Sequence, residues 1–406
     1  MESLAAVGSG AGPARLGRLQ ADGSAVVAVG SLTAGSFQPG SLQVYDLDAA
    51  QLRYQADYDK PPRWPSAFLQ PQAAGQVRAA SLIGRFPSNA QQYQLELEVR
   101  DAGTGALLQT RANILPQGSF FDDAALMAAD IDGLPGDELV VIRIASFAAQ
   151  AALLDGATLQ TRWQVAGAQS PLENGRARGW TLADRNQDGI KDVIIAMSGG
   201  FGGGVRLVTL SGANGELLWQ SVTIADSNTG QRVGLVAGEV DAQPGGEIVL
   251  AATSGIYAFD LATGLSTWIV KPAGQQPYTD VAHWGTGDEC RIGVITESQP
   301  LRLLSCVDRS LLGTLELPPG TTRVAPLDPR GTVLATVAGG DLLVSRDGGV
   351  FQSELPGLGE GLALNWPWAV RSSPGAISML LGSTLQLLRA DMLDDPLFAS
   401  GFEPLP

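Results

Sequence analysis

The sequence predicts an all-β fold made of many short antiparallel strands. Short runs rich in Val, Ile and Leu alternate with turns along the whole chain, and 51 glycines and 24 prolines are spread among them. No stretch has the periodicity of a long amphipathic helix. Apolar residues form 45% of the 406 residues and charged residues only 17%, which indicates a packed globular protein rather than a disordered chain or a coiled coil.

A hairpin repeated along the chain indicates the architecture. Each copy has an apolar strand, a polar turn and a second strand that often ends in an aromatic residue, and the copies span residues 42–54, 97–109, 151–163, 206–219, 256–268, 303–315, 342–354 and 385–398. The predicted turn residues are Asp46, Asp101, Asp155, Ser211, Asp260, Asp308, Asp347 and Asp391. Their mean spacing is about 49 residues, the size of a four-stranded blade, and a further apolar run precedes each hairpin.

These units predict an eight-bladed β-propeller of four-stranded antiparallel blades, closed so that only short edges stay unpaired. Seven blades is the alternative, because the last unit is the weakest and lies beside the irregular stretch Trp366-Pro367-Trp368. Residues 15–390 are predicted to form this single domain. Residues 1–14 are predicted to be an N-terminal segment that can close the ring on the last blade, and residues 391–406 a C-terminal tail.

Composition restricts the possible partners and cofactors. The net charge of −15 disfavours nucleic acids and anionic membrane surfaces, so neither is expected as a partner. The single histidine, His283, excludes multi-histidine metal centres, and two cysteines cannot form a thiolate zinc site alone. No apolar stretch is long enough to cross a bilayer, so membrane insertion is not expected.

The sharpest motif is the segment 184–192, which directly precedes an apolar strand. It has oxygen donors at positions one, three, five and nine, a glycine at position six and a free backbone carbonyl at position seven, as a hard cation with six or more oxygen ligands requires. The segment therefore predicts a Ca²⁺ site. An Asx-rich turn without a metal is the alternative. The candidate ligands are Asp184, Asn186, Asp188, Ile190 through its carbonyl, and Asp192.

Two further segments share this register but lack an acid at position five. That position is a leucine in residues 130–138 and a glutamine in residues 239–247. Because a lost carboxylate weakens a calcium site, a structural turn is the favoured interpretation of both, with calcium binding as the alternative. The weaker candidate ligands are Asp130, Asp132 and Glu138 in one segment, and Glu239, Asp241 and Glu247 in the other.

These motifs resemble two known families. The loop D-x-(D/N)-x-D-G-x-x-D before an apolar strand resembles the FG-GAP/VCBS repeat of integrin-α-like propellers, and it does so over the third to fifth units. The hairpins resemble the tryptophan-docking repeat of PQQ-like, quinoprotein-type propellers, in which the indole packs between blades. That second resemblance implies structural docking, rather than cofactor binding, for the residues that follow three turn residues by eight positions: Trp163, Trp219 and Trp268.

The two cysteines predict a disulfide from strand register. If residues 292–296 pair with 301–305, opposed residue numbers sum to 596, as do those of Cys290 and Cys306. A cross-strand pair lies near the Cβ separation that a disulfide requires. The bond would place the protein in an oxidising compartment, extracellular or periplasmic. Two buried free thiols are the alternative.

The two ends of the chain bear on export. No secretory signal is visible after Met1, so the chain is either cytosolic or a mature form. The segment 394–403, DDPLFASGFE, resembles a C-terminal signature of exported proteins in Xanthomonas- and Lysobacter-like bacteria. A closing strand with a packed aromatic pair is the alternative for this segment.

Together these observations predict an exported, monomeric, non-catalytic, calcium-binding propeller that recognises a protein or a glycan. No catalytic residue is assigned, because the sequence has no nucleophile elbow and too many carboxylates from which to select an acid–base pair. Two alternatives stay open. One is a propeller enzyme, either a calcium-assisted polysaccharide lyase or hydrolase or a quinoprotein dehydrogenase. The other is an envelope assembly scaffold of the PQQ-like type.

Overall fold

The computed structural model describes residues 2–6, 15–18, 25–32, 40–46, 51–58, 64–70, 77–85, 94–116, 123–145, 148–167, 169–198, 204–225, 233–238, 245–252, 254–270, 278–284, 291–296, 300–318, 321, 325–326, 333–338, 341–346, 352–355, 363–373, 376–382 and 386–393. All regular elements within these ranges are β-strands. They include no helix of the length and apolarity needed to span a membrane.

The chain divides into two compact units, Met1–Glu173 with Gly361–Ser400 and Asn174–Glu360 with Gly401–Pro406. The described residues form eight four-stranded antiparallel sheets, four in each unit. This number fits the eight-bladed prediction. The single domain expected over residues 15–390 stays a prediction.

The first unit contains the first, second, third and eighth sheets. Their strands are β2 (Arg15–Arg18), β3 (Ala25–Leu32), β4 (Gly40–Asp46) and β5 (Gln51–Tyr58) in the first sheet, β6 (Trp64–Leu69), β7 (Arg78–Arg85), β8 (Gln94–Asp101) and β9 (Leu107–Arg111) in the second, β10 (Asp123–Ala129), β11 (Glu138–Ile144), β12 (Gln150–Leu154) and β13 (Thr161–Val165) in the third, and β1 (Glu2–Ala6), β30 (Ala363–Ser373), β31 (Ala376–Gly382) and β32 (Gln386–Leu393) in the eighth.

The second unit contains the fourth to seventh sheets. Their strands are β14 (Ala177–Ala183), β15 (Asp192–Ser198), β16 (Val205–Leu210) and β17 (Leu217–Gln220) in the fourth sheet, β18 (Leu235–Gly238), β19 (Glu247–Ala252), β20 (Gly255–Asp260) and β21 (Ser266–Val270) in the fifth, β22 (Tyr278–Trp284), β23 (Arg291–Thr296), β24 (Leu301–Ser305) and β25 (Leu311–Leu315) in the sixth, and β26 (Ala325–Pro326), β27 (Val333–Ala338), β28 (Asp341–Arg346) and β29 (Gln352–Leu355) in the seventh.

The two ends of the chain meet in the eighth sheet. Strand β1 pairs with β32, with Glu2 opposite Arg389. Strand β32 continues through Asp391, which lies opposite Ser378 of β31. Asp391 is therefore in a strand and not in a hairpin turn, because the apolar run around it extends the pairing to Leu393. The predicted tail signature at 394–403 lies outside the described residues.

Burial decreases from the second strand of a sheet to the fourth. All residues of β11, β15 and β19 are buried, whereas most residues of β9, β17 and β21 are exposed. A strand that is covered on both faces consists mainly of apolar residues without alternation. The Val- and Ile-rich runs expected to be inner strands are these second strands.

Apolar cores lie between consecutive sheets of each unit. In the first unit, Leu82 of the second sheet and Leu139 of the third belong to one buried cluster. In the second unit, Ile194 of the fourth sheet and Ile248 of the fifth belong to another. Stacked sheets of this kind bury their inner strands, and the burial of apolar area is the main source of their stability.

A repeated side-chain contact fixes the turn between the third and fourth strands. The Oδ1 atom of Asp101 accepts hydrogen bonds from the backbone N–H and the hydroxyl of Thr104. Asp155 accepts the same two bonds from Thr158. Such Asx-turns stabilise a tight hairpin through the first residue of the turn. Asp260 and Thr263 repeat the arrangement in the fifth sheet.

In the sixth sheet the corresponding residue is Ser305. Its backbone N–H donates to the carbonyl of Ser310, as that of Asp260 donates to Leu265. The predicted turn residue Asp308 is therefore three positions late, because Ser305 has the role that aspartate has in the second, third and fifth sheets and that Ser211 has in the fourth. Asp308 instead accepts a hydrogen bond from the hydroxyl of Ser310 within the same turn.

Candidate cation-binding loops and inter-sheet contacts

The predicted calcium loops occupy equivalent places in their sheets. Each connects the first strand to the second, and the acid at position nine is the first residue of the second strand. Glu138 lies opposite Ala129 in the third sheet, and Asp192 lies opposite Ala183 in the fourth. Below, residues 130–138 are called the Asp130 loop and residues 184–192 the Asp184 loop.

The buried acid at position nine fixes its loop by accepting hydrogen bonds from backbone N–H groups. Asp192 is fully buried, and its two carboxylate oxygens accept backbone N–H bonds from Arg185 at 2.9 Å and from Gly212 at 3.0 Å. Glu138 is also buried and accepts the backbone N–H of Ile131 at 2.9 Å. Burial raises the pKa of Asp192 above its usual value, while the N–H donors act in the opposite direction. In both loops the position-nine acid therefore binds the N–H at position two.

A close backbone approach connects each loop to the hairpin turn of its own sheet. A Cβ atom on Gly212 would lie 2.1 Å from the carbonyl oxygen of Lys191. A Cβ atom on Gly156 would lie 1.8 Å from that of Asp137. Only glycine fits at such distances. The loop and the turn therefore form one packed edge of the sheet.

The Asp184 loop directs its side chains to its own backbone. The two oxygens of Asp184 accept the N–H groups of Asp188 at 3.2 Å and Gly189 at 2.9 Å. Asp188 accepts the N–H of Ile190 and the side-chain amide of Asn186, both at 2.8 Å. Asn186 and Asp188 are exposed. The loop thus gathers three oxygen-bearing side chains on one solvent-facing turn.

No lysine or arginine in the described part of the chain forms a salt bridge with Asp184 or Asp188. Their hydrogen bonds come from neutral amides of the loop itself. A carboxylate oxygen has more than one acceptor position, so these bonds leave capacity for a further partner. The donor set is all oxygen, which is the chemistry that calcium requires.

The Asp130 loop brings its acids closer together. One carboxylate oxygen from each of Asp130, Asp132 and Glu138 lies within 4.8 Å of the other two, a spacing at which three acids could hold a metal ion. It is the one group of three such ligands found among the described residues. The segment with the weaker motif therefore has the more convergent carboxylates.

Arg162 of β13 lies among these acids. Its guanidinium forms salt bridges with Asp132 at 2.6 Å, with Glu138 at 2.9 Å and with the turn residue Asp155 at 3.0 Å. Burial acts to raise the pKa of Asp155, but the hydrogen bonds from Thr158 and Arg162 outweigh it and lower the pKa to about 2. One arginine thus joins the loop and the hairpin turn of the third sheet.

The third predicted loop, residues 239–247, lies largely outside the described residues, including Glu239 and Asp241. Glu247 is described. It begins β19 opposite Gly238 and is 3% exposed. Its position and burial match those of Glu138 and Asp192.

Trp219 contacts the next sheet along the chain. A Cβ atom on Gly264, in the hairpin turn of the fifth sheet, would lie 2.3 Å from the indole nitrogen of Trp219. Phe259 meets the ring edge to face at 5.6 Å, and the guanidinium of Arg185 lies 4.8 Å from its centroid. Aromatic and cation–π contacts of this geometry are favourable. The indole therefore lies between the hairpins of the fourth and fifth sheets.

The other aromatic residues at this place differ in detail. The guanidinium of Arg309, in the turn of the sixth sheet, lies 5.4 Å from the ring of Trp268. Trp163 is 6% exposed. Tyr54 has the equivalent position in the first sheet, and its ring lies 2.6 Å from the Cβ position of Gly105 in the second. Sequence reasoning missed Tyr54, although its spacing of eight residues from Asp46 was the available signal.

The cysteine register can be followed in the sixth sheet. Ile292 lies opposite Leu304 and Val294 opposite Arg302, so opposed residue numbers sum to 596 as predicted. The next pair of this register is Cys290 and Cys306. Cys306 is fully buried, and no described cysteine is free. Because Cys290 lies outside the described residues, its pairing with Cys306 stays a prediction.

Sequence reasoning also missed Arg162. The available signal was its place one residue before Trp163 and seven residues after Asp155. Arg53 has the same place relative to Asp46, and its guanidinium bonds that carboxylate at 2.6 Å. Seven residues after the turn aspartate, the fourth strand runs back beside the third, so an arginine side chain there can reach the carboxylate of the turn. Arginine at this place therefore pairs with the acid of its own turn.

Comparison with known proteins identifies the fold. No protein-family model matches the sequence, and no curated protein matches it. A europium-containing methanol dehydrogenase is similar with a TM-score of 0.56 at 11% identity, over 95% of this chain and 85% of that one. The Dos1 propeller gives 0.53 at 12% identity, over 80% and 75%. BamB from Moraxella catarrhalis gives 0.51 at 14% identity, over 93% and 97%. Identities this low concern the fold alone, and on that evidence the chain has a β-propeller fold.

Proposed function

We propose that the protein is an exported, non-catalytic β-propeller that binds calcium in the Asp184 loop and recognises a protein or a glycan through its loops. The observation that carries this proposal is the set of oxygen donors on the half-buried Asp184 and the exposed Asn186 and Asp188, with no arginine or lysine of the described residues paired to either acid. Two acids on one turn repel each other unless a cation is present. The loop is therefore suited to an external cation.

Asp184, Asn186, Asp188 and the carbonyl of Ile190 would hold the ion. A bound Ca²⁺ would supply a charge that neutralises the two acids and ties the turn together. Asp192 contributes by fixing the base of the loop through its bonds to Arg185 and Gly212. Its further role as a direct ligand stays a prediction.

A calcium-fixed loop would serve recognition by reducing the flexibility of the surface that a partner meets. In an antiparallel sheet, the loop between the first two strands and the turn between the last two lie at the same edge. Asp192 joins these segments directly in the fourth sheet, because it bonds to Gly212 of the hairpin turn. A surface ordered before binding loses less entropy on binding. An acidic, preformed edge of this kind suits a protein or a glycan ligand.

Export is proposed from the cysteine pair. The described pairing of β23 and β24 ends at Arg291 opposite Ser305, and the same register continued by one residue would bring Cys290 opposite the buried Cys306. Structural disulfides persist in oxidising compartments. An extracellular or periplasmic location agrees with calcium binding, because a weak calcium site is filled at the ion concentrations found outside the cytoplasm.

A glycan array and a pull-down, each run in calcium and in chelator, test recognition. We expect retained binding in calcium that falls at least tenfold in chelator and in Asp188→Asn. Glu316→Gln, an exposed charge change after β25 at the end of the sixth sheet away from its hairpin turn, is the matched control and should bind like the wild type. A parallel assay for reducing sugars and unsaturated uronates tests for catalysis. Turnover without retained binding would replace this proposal with a propeller enzyme.

A further inference from the structure

The Asp130 and Asp184 loops differ in what neutralises their acids. In the third sheet, the guanidinium of Arg162 contacts a carboxylate oxygen of Asp132, Glu138 and Asp155 at 2.6 to 3.0 Å. The residue one position before the aromatic of the fourth strand is Arg162 in the third sheet and Leu218 in the fourth. The Asp184 loop therefore has an aliphatic side chain at the place from which Arg162 reaches the Asp130 loop.

We infer that Arg162 is the built-in cation of the Asp130 loop, so that this loop is held together by the protein's own guanidinium and does not take up calcium. This inference refines the proposed function, because it assigns calcium to the Asp184 loop and excludes it from the loop with the closer carboxylates. It also separates two loops that share one sequence register.

The geometry suits a guanidinium better than an ion. Arg162 provides N–H donors in a fixed fork, with Nη1 bonded to Asp132 and Nη2 shared between Glu138 and Asp155. Asp132 and Glu138 each bind Arg162 through one carboxylate oxygen and a backbone N–H of the loop through the other, so a metal would have to share or displace these bonds. The site is only partly open to water, since the side chains of Asp132, Glu138 and Asp155 are 15%, 2% and 19% exposed. Charges this close in a partly buried place require a paired cation.

The fifth position of the loop supports the same conclusion. It is Asp188 in the Asp184 loop and Leu134 in the Asp130 loop, where the leucine side chain is 63% exposed. A calcium loop without its position-five ligand offers fewer oxygens than the ion prefers. The loop that lacks this ligand is thus the loop that has the arginine.

The recurrence of the arginine is independent support. Arg53 and Arg162 both follow the turn aspartate of their sheet by seven residues. Each donates to that aspartate, at 2.6 Å from Arg53 to Asp46 and at 3.0 Å from Arg162 to Asp155. Pairing the turn acid with an arginine is therefore a repeated device, and in the third sheet it extends to the loop acids.

The test uses Arg162→Leu, which copies the residue of the fourth sheet, in an Asp188→Asn background. That background removes the proposed response of the Asp184 loop, so the result does not depend on whether the calcium proposal is correct. Thermal unfolding is measured in chelator and in about 5 mM CaCl₂, which exceeds the dissociation constants of roughly 0.1–1 mM of the weakest calcium sites in proteins. We expect the midpoint of the double variant to fall by roughly 2–4 °C in chelator and to recover in calcium. Asp188→Asn alone should have the same unfolding midpoint in chelator and in calcium, because Arg162 still neutralises the Asp130 loop.

Three results would overturn the inference. One is calcium binding by Asp188→Asn that is lost when Asp132→Asn is added, because the intact loop would then take up the ion. Another is an unchanged midpoint for the double variant in chelator, because the charge of Arg162 would then contribute nothing to the stability of the loop. A third is a lowered midpoint that calcium does not restore, because the loop would then not be a cation site at all.

Two further variants keep the test decisive if Arg162→Leu does not fold. Arg162→Lys retains the charge but not the fork, so we expect a smaller loss of midpoint and still no response to calcium. Asp132→Asn combined with Arg162→Leu removes part of the repulsion, and we expect it to fold in chelator with little gain from calcium. A full calcium response in either variant would contradict the inference.

Discussion

At the scale of single residues, the buried acid that begins the second strand of a sheet holds the preceding loop in place. Asp192 and Glu138 each accept the N–H of the second loop residue, and both are excluded from water. Losing such a bond lowers the stability of the fold, because it leaves a buried N–H group without an acceptor. The residues at positions three and five differ between the two loops, and under the proposed function they help to determine which cation neutralises each loop.

Asp155 gives a pH prediction at this scale. Its pKa is lowered to about 2 by the donors of Thr158 and Arg162, against the effect of burial. A lowered pKa stabilises the folded state above the unfolded pKa of 3.8, and this contribution disappears as pH falls through the folded value. Arg78 is a further cation that interacts with this carboxylate.

Asp155→Asn should therefore lower the free energy of unfolding by about 1–2 kcal/mol at pH 6, after allowance for solvent screening of a partly exposed pair. The difference from the wild type should shrink between pH 4 and pH 2, where the wild-type carboxylate becomes protonated. Urea unfolding of both proteins across this range measures it. A difference that stays constant with pH would mean that the ionised carboxylate contributes nothing specific.

At the scale of elements, the hairpin repeat depends on one backbone conformation. In the second to sixth sheets, whose turns are described, the fifth residue of the turn has a left-handed backbone, with φ of 76° at Gly105, 72° at Gly264 and 63° at Arg309. At Gly105 and Gly264, the aromatic residue of the preceding sheet approaches closely: Tyr54 in the first case and Trp219 in the second. Where it is Arg309, the guanidinium covers Trp268 instead.

Gly264→Ala tests this contact. The change adds backbone strain and a methyl group 2.3 Å from the Trp219 indole nitrogen, so we expect a loss of about 2–4 kcal/mol in unfolding free energy. Gly167→Ala is the matched control, because Gly167 has φ of 92° and nothing within 4 Å of its Cβ position. It should lose only about 1 kcal/mol, the cost of the strain. Equal losses in chemical denaturation would show that the indole contact adds nothing.

The cysteine hairpin gives a second prediction for an element. A bond between Cys290 and Cys306 would close a short loop and stabilise the fold by about 3 kcal/mol. Mass spectrometry after alkylation should find no modified cysteine unless a reductant is added. Reductant and Cys290→Ser should lower the unfolding free energy equally, and their effects should not add. Alkylation of both thiols without reduction would disprove the bond.

Much of these elements could be predicted from the sequence, and the failures have physical reasons. The register of β23 and β24 follows from residue numbers alone, because strand pairing has a fixed period. Asp308 was misplaced because Ser305 replaces the usual aspartate. The pairing of Arg162 with Asp155 had a signal in their spacing of seven, but its contacts with Glu138 and Asp132 cross 24 and 30 residues, and sequence patterns do not reveal such long-range ion pairs.

At the scale of the whole molecule, repetition is what makes the fold predictable. A single sheet cannot bury its own apolar faces. Stacking on neighbouring sheets buries them and drives folding, so the same apolar pattern recurs along the chain. The same repetition makes function hard to predict, since a propeller supports many activities. What distinguishes one sheet from the next is a small number of loop and edge residues, such as Asp188 and Leu134, or Arg162 and Leu218.

The most direct test of the account is a calorimetric titration of the whole protein with Ca²⁺. The wild type should bind the ion saturably, and Asp188→Asn should bind one equivalent fewer, while Asp132→Asn should bind as many ions as the wild type. Absence of binding by the wild type, or an equal number of ions bound by Asp188→Asn, would contradict the calcium site on which the proposed function rests.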